Sequence, residues 1–280
     1  MKKLFILLLI LVFANRSKAQ NATITLWPGQ VPGEKDSKHN AVLRDSLQHI
    51  TRITDITDPL MVVFKPTAAV NLHVDVIISP GGGNKYLAVD LEGYEIARWL
   101  NTLGYTAYVL QYRVPNKQTG ALQDIQRAVR IVKNGMHGDK VGVMGFSAGG
   151  NLSARAMTSF MQKTYEPIDQ TDSLSSRPDF SLLIYPGSLS TGTDHKLIPE
   201  IAVTKDTPST FIFVAADDQF GPPLSLAYAL RDNKIPYELH VYPKGGHGYG
   251  LRKGNLAAET WPALAAKWLS DYVIETRKNK

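Results

Sequence analysis

Val141-Gly142-Val143-Met144-Gly145-Phe146-Ser147-Ala148-Gly149 runs a short apolar stretch straight into a G-x-S-x-G pattern. A helix-prone stretch, residues 151–162, follows. Strand, sharp turn, helix is the setting in which this pattern marks a nucleophile elbow. Such a turn holds its serine at strained backbone angles, and the glycines two residues to either side remove Cβ atoms that would meet neighbouring chain. The pentapeptide alone is a common pattern; its meaning depends on what surrounds it.

Outward from the elbow, the chain alternates β-branched apolar runs with helical patterns. Residues 72–79, 105–112, 180–185, 210–215 and 237–242 read as strands. Residues 90–103 place Tyr94, Ala97, Leu100 and Leu103 at helical spacing, and residues 119–134 do the same with Leu122, Ile125, Val129 and Val132, stopped by Gly135. Residues 224–233 form another helical stretch, and residues 256–275 predict a closing helix that packs Trp261, Leu264, Trp268 and Tyr272 into the core. This alternation predicts an α/β fold with a mostly parallel sheet covered on both faces. Residues 20–65 are polar and turn-rich, with Pro28, Pro32 and Pro59, and offer strand-like pieces at 22–27 and 61–64, read as edge strands ahead of the main core.

The first residues carry a different signal. Lys2 and Lys3 precede 11 apolar residues, 4–14, and Ser17-Lys18-Ala19 offers a small-x-small site. This predicts a signal peptide over residues 1–19, cleaved after Ala19, and an exported (periplasmic or extracellular) domain over 20–280. The apolar run falls short of the roughly 20 residues a spanning helix needs, so no stable membrane anchor is expected after cleavage. The 280 residues carry a formal net charge of +6 and no cysteine. Loss of Lys2, Lys3, Arg16 and Lys18, with no acid beside them, leaves +2, which weakens any case for a nucleic-acid partner. An exported chain without disulfides must draw its stability from its core, and about 260 residues suffice for one. The basic end, residues 277–280, reads as a solvated helix terminus.

A serine hydroxyl needs a general base, and that base a carboxylate, on loops after later strands in the order Ser, acid, His. The run ending at Ala216 delivers Asp217-Asp218, and the run ending at Tyr242 delivers Pro243-Lys244-Gly245-Gly246-His247-Gly248. His247 is the expected base. His73 and His240 fall within strand-like runs, and the remaining histidines lie in polar loops. The acid is Asp218, with Asp217 as the alternative; the loser is expected to cap a turn. For the oxyanion, the backbone N–H of Ala148 is one expected donor, and the loop Pro80-Gly81-Gly82-Gly83 supplies the other from Gly82 or Gly83. No H-E-x-x-H or clustered ligand set is visible, and the chemistry calls for no metal or cofactor.

Together these stretches resemble the α/β-hydrolase superfamily, and within it a bacterial esterase/lipase branch that includes acetyl xylan esterase-like proteins. Leu26-Trp27-Pro28-Gly29, Glu92-Gly93, Gln111-Tyr112-Arg113, the elbow, and the aspartate and histidine loops carry the likeness. Two positions depart: Pro80 stands where related lipases often have histidine, and Asn151 stands where relatives of the elbow often do. The resemblance implies little or no cap domain and a small-molecule or polysaccharide ester as substrate, an O-acetylated plant-type polysaccharide or its oligomers above all. The polar segment 165–177 and the short, mixed segment 188–205 offer no long apolar lid. A serine peptidase, a general carboxylesterase or lipase, and a catalytically silent carbohydrate-binding relative are the rival readings.

Overall fold

The computed structural model describes residues 22–135, 140–192 and 195–275. The expected signal peptide and the basic end beyond residue 275 lie outside them. Eight strands form one sheet: β1 (Thr23–Thr25), β2 (Leu60–Phe64), β3 (Val74–Ser79), β4 (Thr106–Gln111), β5 (Lys140–Phe146), β6 (Phe180–Ile184), β7 (Ser209–Ala215) and β8 (Tyr237–Tyr242). Their spatial order is β1-β2-β4-β3-β5-β6-β7-β8. Every pairing from β4 to β8 is parallel, and only β1 with β2 and β2 with β4 are antiparallel. The expectation of edge strands fails for β2, which is paired on both sides, Val62 facing Thr23 and Val109. His73, expected within a strand, sits in the turn ahead of β3 at φ 56°.

Helix α1 (Glu95–Thr102) and α5 (Leu256–Trp268) cover one face; α2 (Gln118–Asn134), α3 (Ala148–Thr158) and α4 (Leu224–Asp232) cover the other. Alternation along each strand assigns the faces. Met144 and Phe146 of β5 pack with Trp261 of α5, whereas Val141 and Val143 pack with Ile125 and Val129 of α2. Both sides of the parallel strands are buried, so they read as unbroken apolar runs. The closing helix widens into π winding over Leu269–Ile274. That change of period buries Leu269 and Val273 and turns Tyr272 outward, 44% exposed and stacked on Trp268, contrary to its expected core position.

The polar N-terminal segment holds what periodicity did not reveal. Val42–Asp45 and Arg52–Thr54 pair antiparallel, and the latter pairs with Leu87–Ala88, making a small three-stranded sheet beside the main one. Short, half-exposed strands carry too little apolar contrast to register as alternation.

A buried ion pair ties the end of β4 to α2. Asp124 is fully buried and accepts hydrogen bonds from Trp27 Nε1, from the Arg113 backbone N–H and from the Arg113 guanidinium, at 2.9 to 3.1 Å. Arg113 also donates to Pro32 O and Gly120 O, so one side chain joins the N-terminal loop, β4 and α2. Removing one partner strands a buried charge. Asp124→Ala is expected to lower unfolding free energy by about 3–5 kcal/mol, whereas the apolar pair Arg113→Met with Asp124→Leu recovers most of that loss. Urea unfolding of the three proteins measures both.

Candidate active site

Ser147 sits directly between β5 and α3 at φ 52° and ψ −119°, a region that non-glycine residues avoid. Neighbouring packing holds it there. Its N–H donates to Ile184 O of β6, and its carbonyl accepts from Gly187 and Asn151. A Cβ on Gly149 would run into Ser79 O of β3, and one on Gly145 into the Gly149 carbonyl. The two glycines therefore let α3 start against the sheet, three residues earlier than periodicity suggests. Phe146 wedges between Tyr185 and Trp261, with ring centroids 5.7 and 5.9 Å away, and fixes the strand beneath the serine.

The partners expected from distant loops converge here. Ser147 Oγ–H donates to His247 Nε2 over 2.6 Å, and His247 Nδ1–H donates to Asp218 Oδ2 over 2.7 Å. The Asp218 side chain is 1% exposed, and its other oxygen accepts from the Phe220 N–H at 2.8 Å, which locks the carboxylate. The imidazole is held between the edges of Tyr185 and Phe220, at 5.1 and 4.9 Å. Asp217 instead accepts from the N–H groups of Gly246 and Gly245, which hold its carboxyl below the usual carboxylate range. The adjacent aspartates thus divide two tasks: one meets the imidazole, and the other clamps the loop that carries it.

Gly82 and Gly83 line the same cavity as Ser147 and His247, a space of about 540 Å³. Their N–H groups, and that of Ala148 at the first turn of α3, make no hydrogen bond among the described residues. The Gly81 N–H is taken by Glu92 Oε2 at 2.7 Å, and the Pro80 carbonyl accepts from Tyr112 Oη–H at 2.6 Å. These two bonds hold the glycine loop at Pro80, the first of the two departures from the resembled pattern. Asn151, the second departure, donates to Gly187 O and Ser188 O. Gly82, at φ 145°, must lack a side chain because a Cβ would strike the Tyr86 carbonyl. Neither 165–177 nor 188–205 contributes a residue to this cavity among the described residues; the first is drawn onto α2 by Arg127 pairing with Asp169 and Asp172.

Sequence reasoning gave several residues around the site no role in it. Glu92 is buried and bonds both the Gly81 N–H and the Tyr185 hydroxyl, 2.9 Å away, and that hydroxyl in turn accepts from the Gly250 N–H. Arg44, Arg52 and Tyr86 form a wall from the small sheet and its adjoining loop. Glu92 lies on a helical face within a run that reads as ordinary amphipathic pattern, and nothing in the sequence links it to residues 81 or 185.

Comparison with known proteins bears on the fold. Residues 81–203 match a family model described as the alpha/beta hydrolase fold. The solved acetyl ester-xyloside bifunctional hydrolase of Caldicellulosiruptor lactoaceticus superposes with a TM-score of 0.73 over 91% of this chain and 97% of its own, at 28% identity. The chain is an α/β-hydrolase-fold protein. Among curated relatives, an acetylxylan esterase of Xylanibacter ruminicola is 32% identical over 204 residues, 61% of this chain and 40% of that one. An endo-1,4-beta-xylanase B of Butyrivibrio fibrisolvens is 32% identical over 225 residues, 66% of this chain and 35% of that one. The matched segment thus spans well under half the length of either curated relative.

Burial pushes the Glu92 carboxyl above the usual carboxylate range, while its bonds to Tyr185 and Gly81 pull the other way. A carboxyl raised in the folded state contributes stability below its unfolded value, and that contribution is lost as pH rises through the folded value. Glu92→Gln removes this titration. Its stability relative to the parent is therefore expected to improve as pH rises through the Glu92 titration and to level off above it, as read from thermal unfolding at a series of pH values.

Proposed function

We propose that this α/β-hydrolase-fold chain is a serine esterase that removes short acyl groups, acetyl above all, from plant-type polysaccharides or oligosaccharides, by a Ser147–His247–Asp218 relay. The observation that carries this is the unbroken chain of short hydrogen bonds from the Ser147 hydroxyl through His247 to a buried Asp218, opening on a cavity with unengaged backbone donors.

The chemistry follows from that arrangement. Asp218 accepts from Nδ1–H, which leaves the Nε2 lone pair facing the hydroxyl. As Ser147 Oγ bonds to the ester carbonyl carbon, its proton passes to His247 Nε2, and Asp218 stabilises the imidazolium. The carbonyl oxygen gains negative charge at the N–H groups of Ala148 and of Gly82 or Gly83. The bond to the alcohol oxygen then breaks, and that oxygen takes the Nε2 proton. Water attacks the acyl-serine by the same route in reverse, its proton going to His247 and then to the departing Ser147 oxygen, and a carboxylic acid leaves. Every proton and bond is accounted for by side chains of this protein and water.

Two lines support a short acyl group on a carbohydrate. The cavity walls mix Arg44, Arg52, Lys85 and Gln219 with the apolar side chains of Ile50 and Leu91. Relatives bearing the names acetylxylan esterase and endo-1,4-beta-xylanase share about a third of the aligned residues. Export is part of the same proposal, supported by the basic, apolar and small-residue order of residues 1–19, and it would bring the enzyme to polymeric substrates.

Ser147→Ala is expected to lower kcat on p-nitrophenyl acetate by about 10⁶-fold. Asp218→Asn, which traps the wrong imidazole tautomer, should lower it by about 10⁴-fold. Asp217→Asn should cost far less, because the relay stays intact. Equal losses at 217 and 218 would overturn the assignment of the acid. For the substrate, p-nitrophenyl esters of increasing chain length are compared with acetate release from acetylated xylan. Acetate preferred and xylan deacetylated is the expected pattern; butanoyl or longer preferred with no acetate released indicates a general carboxylesterase.

A further inference from the structure

One wall of the cavity that holds Ser147 comes from the small sheet and its adjoining loop, and it is cationic. The Arg44 and Arg52 guanidinium carbons lie 4.8 and 5.5 Å from the Tyr86 ring centroid, both within cation–π range. Lys85 lines the same cavity. Glu92 is the one acid lining it among the described residues, and its carboxyl is buried and committed to Gly81 and Tyr185.

Charge is not balanced behind the wall either. Asp45 pairs with Arg52 at 2.7 Å and reaches Arg44 only at 3.5 Å, so a single carboxylate serves two guanidiniums. Arg52 is anchored further by donating to Leu47 O and Ile50 O. Arg44 is the freer partner, with a side chain 45% exposed and no hydrogen bond among the described residues. The wall also keeps a set position relative to the serine. Gly82 O accepts from the N–H groups of Lys85 and Tyr86, and Lys85 O accepts from Thr54 Oγ1–H, so the expected oxyanion loop and the small sheet move together.

We propose that Arg44, Tyr86 and Arg52 form a subsite for a carboxylate carried by the substrate. On a polysaccharide ester, that group is a uronic acid substituent close to the scissile acyl group. The proposal rests on the esterase reading above and deepens it. Guanidinium groups suit the task because their planar donors match a carboxylate pairwise. Tyr86 adds an aromatic face beside them, and the ring holds both cations in place without neutralising them.

The test compares two acetylated xylo-oligosaccharides, one with a uronic acid branch and one without, at low and high ionic strength. The unaltered protein is expected to favour the acidic one in kcat/KM by about five-fold, the upper range for a solvent-facing ion pair, and to lose that preference at high salt. Arg44→Gln should bring the ratio close to one. Arg98→Gln, which removes the same charge from α1 outside this cavity, should leave it unchanged. Calorimetric binding of both oligosaccharides to the Ser147→Ala protein gives a readout independent of turnover, with the acidic one again bound about five-fold tighter. Equal kcat/KM and equal affinity for the two overturn the subsite while leaving the esterase reading standing. No cleavage of either ester overturns the esterase reading, and the binding comparison still decides the subsite.

Discussion

Everything at this site depends on one backbone position. Ser147 is held at φ 52°, a conformation that costs of the order of 1–3 kcal/mol for a residue with a side chain. The surroundings leave no alternative: the β6 carbonyl at Ile184 takes its N–H, Gly187 and Asn151 take its carbonyl, and Gly145 and Gly149 let β3 and α3 close around it. A relaxed serine would lose these bonds and withdraw its hydroxyl from His247. The sheet beneath, with Phe146 wedged between Tyr185 and Trp261, serves as the rigid base that makes the strain sustainable.

Around that point, pairs of similar groups take unlike tasks because their surroundings differ. Asp217 and Asp218 are consecutive and chemically identical. One is exposed and clamps two glycine amides; the other is buried, with one oxygen on Phe220 N–H and one on His247. Glu92 is a third carboxylate nearby, turned to holding the glycine loop through Gly81 and to Tyr185. The Gly81 amide is so occupied, whereas those of Gly82 and Gly83, two residues that line the cavity, make no hydrogen bond among the described residues. Positive charge at the cavity wall comes from a separate small sheet, so the Ser147–His247–Asp218 hydrogen bonds and the cationic wall are built by different parts of the chain.

The comparison with relatives has the same division. The family match covers residues 81–203, which includes the glycine loop and the elbow but neither Asp218 nor His247, nor the wall that Arg44 and Arg52 supply. Asp218 reaches His247, and His247 and the two arginines reach the cavity, because β7 and β8 continue the parallel sheet and because Arg52–Thr54 pairs with Leu87–Ala88. A parallel sheet puts the ends of successive strands on one edge, so loops far apart in sequence meet there.

Sequence alone determined the α/β alternation, the elbow, the order of serine, acid and histidine, and the glycine loop, because each is written in local pattern: apolar periodicity, or glycine where a side chain cannot fit. It ranked Asp218 above Asp217 but could not separate them physically, since neighbours in a turn share composition and differ only in direction. Tertiary structure alone decided which aspartate bonds His247, the outward turn of Tyr272, the interior place of β2, the Glu92 bond behind the glycine loop, and the cationic wall. These depend on contacts between residues dozens of positions apart, such as Gly81 with Glu92 and Glu92 with Tyr185, and no local periodicity records what a side chain meets across the fold.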